Sequence, residues 1–392
     1  METEWYVSRL EARGRGGMVA AKTAGAAAAG TEILRKGGNA VDAAVATAFA
    51  AGVVEPWMNG IGGGGYLVVH APGDDPAVVE YPMIAPAAAR PEMFPLAAGV
   101  DEGLFGWPAV VDNINVWGYQ SVAVAGTTAG LATALERWGT ISLAEALAPA
   151  IRYAEEGVPI YWHTSWMIAR DLATLRIFPE TAGIFLDANG CPPITQEQAN
   201  PKIMRQPDLA RTLRAIASEG PRVMYEGAIG QAIADDLVAN GAPFTRDDFA
   251  NYQAKVTPAL TTTYGGAEVH TIGGGTGGTT LVESLNIASQ FGLREMGYHT
   301  PAALNRMVQA FRIAFADRFA WLGDITQVDV PVDVLTDLAY ARERAAEQAA
   351  DRFVELPAAT AERVGITHGL GGSVPDYVGS AVSPGQMTDG ST

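Results

Sequence analysis

Two glycine-rich loops are the segments of this sequence whose composition most directly suggests chemistry. Residues 62–65 are four consecutive glycines, and residues 273–280 read Gly-Gly-Gly-Thr-Gly-Gly-Thr-Thr. Backbone N–H groups in such loops can hold a phosphate. The first loop precedes a predicted strand instead of joining a strand to a helix, so it favours a close approach of two backbones. The second does join a strand to a helix but lacks the lysine of a nucleotide-binding loop, and we expect no nucleotide there.

Side chains that could act as nucleophiles, bases or metal ligands form no complete catalytic set. The histidines have no metal-ligand spacing, and no Gly-x-Ser-x-Gly motif is present. Cys191 is the single cysteine, so an internal disulfide and a site with several thiolates are excluded, and we interpret it as an unreactive thiol near a loop. The acid pairs Asp74/Asp75 and Asp247/Asp248 are interpreted as local structure. We predict no metal, no cofactor and no catalytic residue in this chain.

The elements that would position these residues follow the order helices, hairpin, helices, hairpin, helices. Asn39 is predicted to cap the second helix, whose small residues allow close packing. The predicted helices cover residues 20–34, 40–53, 127–138, 142–156, 209–219, 229–239, 280–290 and 300–322, and the predicted strands cover 66–70, 77–81, 260–264 and 267–272. This order favours a layered protein of helices and strands with a largely antiparallel sheet.

The composition indicates a large folded protein and argues against nucleic acid as a partner. The chain has 392 residues, 48% of them hydrophobic, and a net charge of −17. Nucleic-acid binding needs a basic surface, and this sequence has no cluster of Lys and Arg residues. Residues 1–15 have no apolar core of signal-peptide length, and the apolar run 41–54 is too short to span a bilayer. We therefore predict a cytoplasmic protein without a membrane partner.

Several blocks, in the same order, resemble the γ-glutamyltransferase (γ-glutamyltranspeptidase) family. Residues 32–44 look like the N-terminal signature of that family, and residues 60–66 look like its glycine block. Further similar blocks are 54–56, 85–87, 93–94, 126–130, 138–140, 225–227, 316–318 and 322–324. The resemblance covers about residues 17–345. The ordered series is far more specific than any single block.

The resemblance implies an α+β Ntn-hydrolase fold, a four-layer αββα sandwich, with this chain as the large subunit of a processed heterodimer. In that family the precursor cuts itself, and the new N-terminal threonine of the small subunit is the nucleophile. The α-amine that the cut exposes can act as base for the poorly nucleophilic hydroxyl. The expected partners are the small subunit, with a dimer of heterodimers left open, and a small-molecule amide or keto substrate.

The same resemblance places the autoprocessing junction at Ser391 and Thr392. We expect the nucleophile just after Thr392, and the alternative is that Thr392 itself is the nucleophile of an intact precursor. Residues 1–16 are then an N-terminal arm and residues 17–364 the large-subunit domain. Residues 365–392 are a flexible C-terminal tail that leads to the processing site.

One departure from the family pattern concerns substrate binding. The family grips the α-carboxylate of the γ-glutamyl group with an arginine just after the second strand. Here Tyr81-Pro82-Met83 occupies that stretch, and the arginine position falls on Pro82, which offers no charge and no donor. Arg90 would need a different backbone path to replace the arginine. Residues 273–280 also differ from the family's Pro-Pro-Ser-Ser-Gly-Gly-like stretch.

These features predict an N-terminal-threonine hydrolase that cleaves a small amide other than a standard γ-glutamyl compound. Three alternatives remain open. The protein could be a γ-glutamyl hydrolase or transferase acting on glutathione-like compounds. It could be a hydrolase of a carbon–carbon bond beside a keto group in an antibiotic pathway. It could also be a non-catalytic binding homologue, which would not be processed.

Overall fold

The structure is a computed structural model that describes residues 11–100, 107–197, 200–348 and 357–366. Ser391 and Thr392 lie outside the described residues, as do most of the predicted arm and tail. The helices are α1 Ala24–Arg35, α2 Ala40–Val54, α3 Thr127–Trp138, α4 Leu143–Glu156, α5 Trp162–Arg170, α6 Leu172–Leu175, α7 Pro179–Phe185, α8 Pro207–Glu219, α9 Ala228–Ala239, α10 Arg246–Ala250, α11 Gly277–Ala288, α12 Leu293–Met296, α13 Pro301–Trp321, α14 Val332–Leu335 and α15 Leu338–Ala346. The strands are β1 Gly65–Val69, β2 Ala77–Tyr81, β3 Leu96–Val100, β4 Pro108–Val110, β5 Val158–Pro159, β6 Ile203–Met204, β7 Lys255–Pro258, β8 Leu260–Tyr264 and β9 Ala267–Thr271.

All the predicted helices and strands are present, with shifts at their ends. The first helix begins at Ala24 instead of Ala20, because Thr23 before it is extended, with φ −110° and ψ 145°. Helix α11 begins at Gly277, earlier than predicted, because the Thr276 hydroxyl caps it by accepting from the Gly278 N–H. The helices α5, α7 and α15 and the strands β3 to β7 were not predicted.

The start of α2 is fixed by two side chains from the N-terminal signature. The Asn39 side chain accepts from the N–H groups of Val41 and Asp42, and Asp42 accepts in return from the Asn39 N–H, which completes a capping box. Asp42 is fully buried and also accepts from Thr140, both from its N–H at 2.8 Å and from its hydroxyl at 2.5 Å. Burial opposes ionisation of Asp42, but these hydrogen bonds outweigh it and lower the pKa. Asp42 therefore connects the start of α2 to Thr140, which lies just beyond the end of α3.

Small residues let α1 and α2 pack at unusually short range, as predicted. A Cβ added to Gly30 on α1 would lie 2.1 Å from the Thr47 hydroxyl and 2.8 Å from the Ala43 carbonyl oxygen of α2. No side chain larger than hydrogen fits at that position.

The described strands are short and form small sheets of two or three strands. Strands β1, β2 and β7 form a three-stranded sheet in the order β1-β2-β7, and the remaining strands pair as β3–β4, β5–β6 and β8–β9. The predicted hairpin β8–β9 is antiparallel, with Tyr264 opposite Ala267. Its turn residues Gly265 and Gly266 both have positive φ, 60° and 84°, which two-residue hairpin turns favour.

The chain divides into two compact units. The first comprises described residues up to 67 together with 79–97 and 110–255, and it contains α1 to α10. The second comprises described residues 68–78, 98–100, 107–109 and those from 256 onward, and it contains β8, β9 and α11 to α15. Its core packs α11, α13 and α15 through Ile287, Ala310, Ile313 and Ala341. Among the described helices, none combines the length and apolar character needed to cross a membrane.

Candidate functional site

Tyr81, Pro82 and Met83, the predicted substrate-binding residues, lie at the end of β2 and directly beyond it. Tyr81 is buried at 8% exposure, Pro82 is half-buried, and Met83 is exposed at 56%. The hydroxyl of Tyr252 donates a 2.6 Å hydrogen bond to the Pro82 carbonyl oxygen. The backbone at position 82 is therefore held from a residue far away in the sequence.

Glycine 64 allows the glycine block to lie directly against this segment. A Cβ on Gly64 would lie 2.5 Å from the Met83 nitrogen and 2.7 Å from the Tyr81 carbonyl oxygen. The neighbouring Gly63 carbonyl oxygen accepts from the Gly126 N–H at 2.7 Å. The close backbone approach predicted for residues 62–65 is thus confirmed.

Two further glycines lie against Tyr81: Gly130 within α3 and Gly126 directly before α3. A Cβ on Gly126 would lie 2.1 Å from the Tyr81 carbonyl oxygen, and one on Gly130 would lie 2.0 Å from the Tyr81 ring. Real Cβ atoms do not approach other atoms so closely. The position of Tyr81, and with it the direction of Pro82 and Met83, depends on the absence of side chains here.

Tyr81 and two buried tyrosines packed near it, Tyr225 and Tyr252, are neutral groups. Tyr225 stacks on Tyr252 with ring centroids 5.5 Å apart, and its hydroxyl accepts from the Ala129 N–H. Burial raises the pKa of Tyr225 to about 12 and raises the pKa of Tyr81. Burial, and then the neighbouring tyrosines, raise the pKa of Tyr252 well above its ordinary value. The hydroxyls of Tyr225 and Tyr252 therefore position the backbone near neutral pH, and none of the three tyrosines is a phenolate there.

The second glycine loop, residues 273–280, is a rigid turn built by threonine hydroxyls. Thr276 donates to the Gly273 carbonyl oxygen at 2.8 Å, and Thr279 donates to the Gly274 carbonyl oxygen at 2.7 Å. A Cβ on Gly275 would lie 1.7 Å from the Gly323 carbonyl oxygen. The loop therefore lies against the block at residues 322–324, and no side chain fits at Gly275.

A buried acid pair lies behind this loop, between α11 and α13. Glu283 and Asp317 are both fully buried, and neither oxygen of Glu283 accepts a hydrogen bond from a described donor. Asp317 accepts from the Tyr340 hydroxyl and the Ala359 N–H, each at 2.6 Å, and its carboxylate lies 3.5 Å from the Arg344 guanidinium. Burial, followed by the charge of Asp317, raises the pKa of Glu283 far above that of a free glutamate. Glu283 is therefore the protonated member of the pair.

We expect Glu283→Gln to stabilise the protein at neutral pH. In the wild type, a raised folded pKa means that the contribution of Glu283 to stability is fully present below pH 4.5 and is lost progressively as the pH rises above it. A neutral amide removes that loss, so the free energy of unfolding should increase by about 1.4 kcal/mol for each pH unit above 4.5 over which the folded protein keeps this proton, and it should change little at pH 4.5. Urea unfolding of both proteins across this range measures the difference. An equal pH dependence would contradict a protonated Glu283.

The other residues singled out in the sequence have local structural roles. Cys191 is an exposed free thiol in a turn held by Asp187, in agreement with the loop interpretation. Asp248 completes a capping box with Thr245 at the start of α10, so the acid pair there is local structure, as predicted. Within the described ranges, no group of three or more His, Cys, Asp or Glu side chains could hold a metal ion. Sequence reasoning missed Tyr252 and Glu283, and it noted Tyr225 only as part of a similar block.

Comparison with known proteins gives a consistent result. The gamma-glutamyltranspeptidase family model matches residues 26–383. An acylase ACY 1 proenzyme of Pseudomonas sp. (strain SE83) is 34% identical over 99% of this chain and 68% of its own length. A glutathione hydrolase proenzyme of Escherichia coli (strain K12) is 30% identical over 84% of this chain and 55% of its own length.

A solved structure extends the similarity to three dimensions. The gamma-glutamyltranspeptidase of Helicobacter pylori superimposes with a TM-score of 0.80 and 29% identity, and the match covers 88% of this chain and 95% of that one. The predicted α+β Ntn-hydrolase class is confirmed by this similarity. The chain belongs to the gamma-glutamyltranspeptidase family.

Proposed function

We propose that this chain is the large subunit of an autoprocessed hydrolase that cleaves a small amide other than a standard γ-glutamyl compound. The observation that carries the proposal is the neutral, immobilised Pro82 at the position where the family pattern has its carboxylate-binding arginine. The similarity to an acylase proenzyme over 99% of this chain supports an acyl group other than γ-glutamyl.

The nucleophile in this proposal is the N-terminal threonine of the small subunit. Cleavage after Thr392 would expose its α-amine, which removes the proton from the threonine hydroxyl as the hydroxyl attacks the amide carbonyl. Backbone N–H groups would stabilise the oxyanion that forms. In this proposal the present chain forms one wall of the substrate-binding site, and it supplies no group that reacts with the substrate.

The wall formed by Pro82 and Met83 favours an uncharged acyl group. The Pro82 ring has no donor, and its carbonyl oxygen already accepts from Tyr252. Met83 presents an exposed thioether, which adapts to apolar groups of different shapes. A substrate carboxylate placed here would lose water without gaining a charged partner.

The test is expression of the full-length precursor, followed by intact mass measurement and a substrate panel. We expect two polypeptides, the second beginning with threonine. We also expect kcat/KM for small uncharged amides to exceed that for a γ-glutamyl anilide and for glutathione by roughly tenfold or more, the size of effect that one missing charge-assisted contact produces.

Each of the other possible results would favour one of the alternative functions. Fast turnover of γ-glutamyl compounds would contradict the proposal and favour a glutathione hydrolase, the activity named for several relatives. Turnover of keto compounds with no amide cleavage would favour a carbon–carbon hydrolase. A precursor that stays a single polypeptide would favour a non-catalytic homologue.

A further inference from the structure

The segment that follows β2 is held at both ends by residues in or just beyond α10. The Tyr252 hydroxyl, two residues after the end of α10, donates to the Pro82 carbonyl oxygen at 2.6 Å. Within α10, a carboxylate oxygen of Asp248 accepts from the Ala87 N–H at 2.7 Å. We call these two hydrogen bonds the α10 contacts. Because Met83 lies between them in the chain, the position of α10 determines where the Pro82 ring and Met83 lie within the first compact unit.

The middle of the same segment is fixed by its backbone. The Ile84 N–H donates to the Val124 carbonyl oxygen at 3.2 Å, and the Val124 N–H donates to the Ile84 carbonyl oxygen at 2.8 Å. This pairing involves no side chain. Of these three points of attachment, only the α10 contacts depend on where a side chain lies.

The Arg222 side chain holds the end of α10. Its guanidinium donates to the Ala250 carbonyl oxygen at 2.6 Å and to the Tyr252 carbonyl oxygen at 3.0 Å. The last carbonyl groups of a helix have no partner within it, and a planar guanidinium can hold two carbonyl oxygens in one fixed geometry. The guanidinium also pairs with Glu226 and lies 5.4 Å from the ring centroid of Tyr225, which stacks on Tyr252.

The backbone that carries Arg222 is itself firmly held. The Arg222 carbonyl oxygen accepts from the N–H groups of Tyr225, at 3.0 Å, and Glu226, at 2.9 Å. A Cβ on Gly227 would lie 2.8 Å from the Cα of Val223, so this turn is also closely packed. The Arg222 side chain therefore extends toward α10 from a fixed backbone position.

We propose that Arg222 is a positioning residue for the substrate-binding segment, an inference that rests on the proposed function. Arg222 acts through Tyr252: by fixing the end of α10, it places the Tyr252 hydroxyl on the Pro82 carbonyl oxygen and so sets the position of the wall formed by Pro82 and Met83. Substrate binding is the property that depends on Arg222, because the threonine that reacts belongs to the small subunit in the proposed function.

The experiment measures KM and kcat of the processed enzyme for the amide that the wild type cleaves best. We expect Arg222→Gln to raise KM roughly tenfold and to change kcat by less than about twofold, the pattern for lost substrate binding. Arg222→Lys keeps the positive charge but lacks the planar fork, so its KM should rise as well, and it tests the same point if the glutamine variant does not fold. The control Arg211→Gln removes an exposed ion pair with Asp208 on α8 and should leave both constants unchanged.

A double substitution tests the path through Tyr252. Tyr252→Phe removes the hydroxyl and keeps the ring that stacks on Tyr225. If Arg222 acts through this hydroxyl, adding Arg222→Gln to Tyr252→Phe should raise KM by less than about a further twofold. Independent effects that multiply would mean that Arg222 acts elsewhere, and they would overturn the proposal.

The outcomes distinguish this inference from the proposed function. A wild-type KM in both Arg222 variants overturns the inference and leaves the proposed function intact. A lower yield of folded enzyme with unchanged KM, the result of a purely structural role, does the same. Fast turnover of γ-glutamyl compounds contradicts the proposed function, and the same variants then test Arg222 with a γ-glutamyl anilide. A precursor that is never cut contradicts both.

Discussion

Replacing Gly130 by alanine is expected to destabilise the protein by about 1–3 kcal/mol, although alanine is the better helix former. The added methyl group would lie 2.0 Å from the Tyr81 ring, and Tyr81 is buried, so the ring has no free space to move into. Because Tyr81 directs the segment that follows it, hydrolytic activity should fall with stability. Urea unfolding and kcat/KM of the processed enzyme measure both effects.

A matched control exists in the same unit. Gly183 lies in helix α7 and is exposed, with no atom within 4 Å of an added Cβ. Gly183→Ala should therefore stabilise the protein by up to about 1 kcal/mol through helix propensity.

A second variant tests whether Tyr81 is the cause. If the clash is with that ring, Gly130→Ala and Tyr81→Ala should be strongly non-additive, since the smaller side chain at position 81 makes room for the methyl group. Additive effects would mean that the contact is relieved elsewhere and that Gly130 does not position the segment.

The second large effect is expected from Pro82→Arg, which should increase γ-glutamyl hydrolysis. A guanidinium that pairs with the substrate carboxylate contributes about 1.5–3 kcal/mol, equivalent to a roughly 10- to 100-fold gain in kcat/KM for a γ-glutamyl anilide. The Tyr252 hydroxyl still holds the carbonyl oxygen of residue 82, because that bond involves only the backbone of the substituted residue. Turnover of uncharged amides should fall in the same variant.

Two companion variants separate charge from loss of the proline ring. Pro82→Gln supplies donors without charge and should give a much smaller gain. Arg90→Ala should leave γ-glutamyl activity unchanged if that residue plays no part in binding the carboxylate. A processed, folded Pro82→Arg enzyme with no gain would remove the main support for the remodelled site.

The structural features that could be predicted from the sequence were mostly formed by residues close together in the chain. The Asn39 cap and the hairpin at Gly265-Gly266 depend on residues within a few positions of each other, and both were predicted. The close approach at residues 62–65 was also predictable, because glycine has no side chain to keep another part of the backbone at a distance. The family resemblance supplied the fold class.

The contacts that define the site were not predictable because they join distant residues. Tyr252 reaches Pro82 across 170 positions, and no periodic pattern connects them. Glu283 was placed on a predicted helix, but its burial depends on α13 and on the unpredicted helix α15, which supplies Tyr340 and Arg344. The site is therefore a product of tertiary packing and not of a local motif.

The acid pair has a calorimetric consequence. Folded protein keeps a proton on Glu283 at neutral pH, whereas the unfolded chain releases it to the surrounding solution. The heat recorded on thermal denaturation then includes the heat of protonating the buffer. Apparent enthalpies should accordingly be smaller in an amine buffer, whose protonation is strongly exothermic, than in phosphate, and values from different buffers are comparable only after that contribution is subtracted.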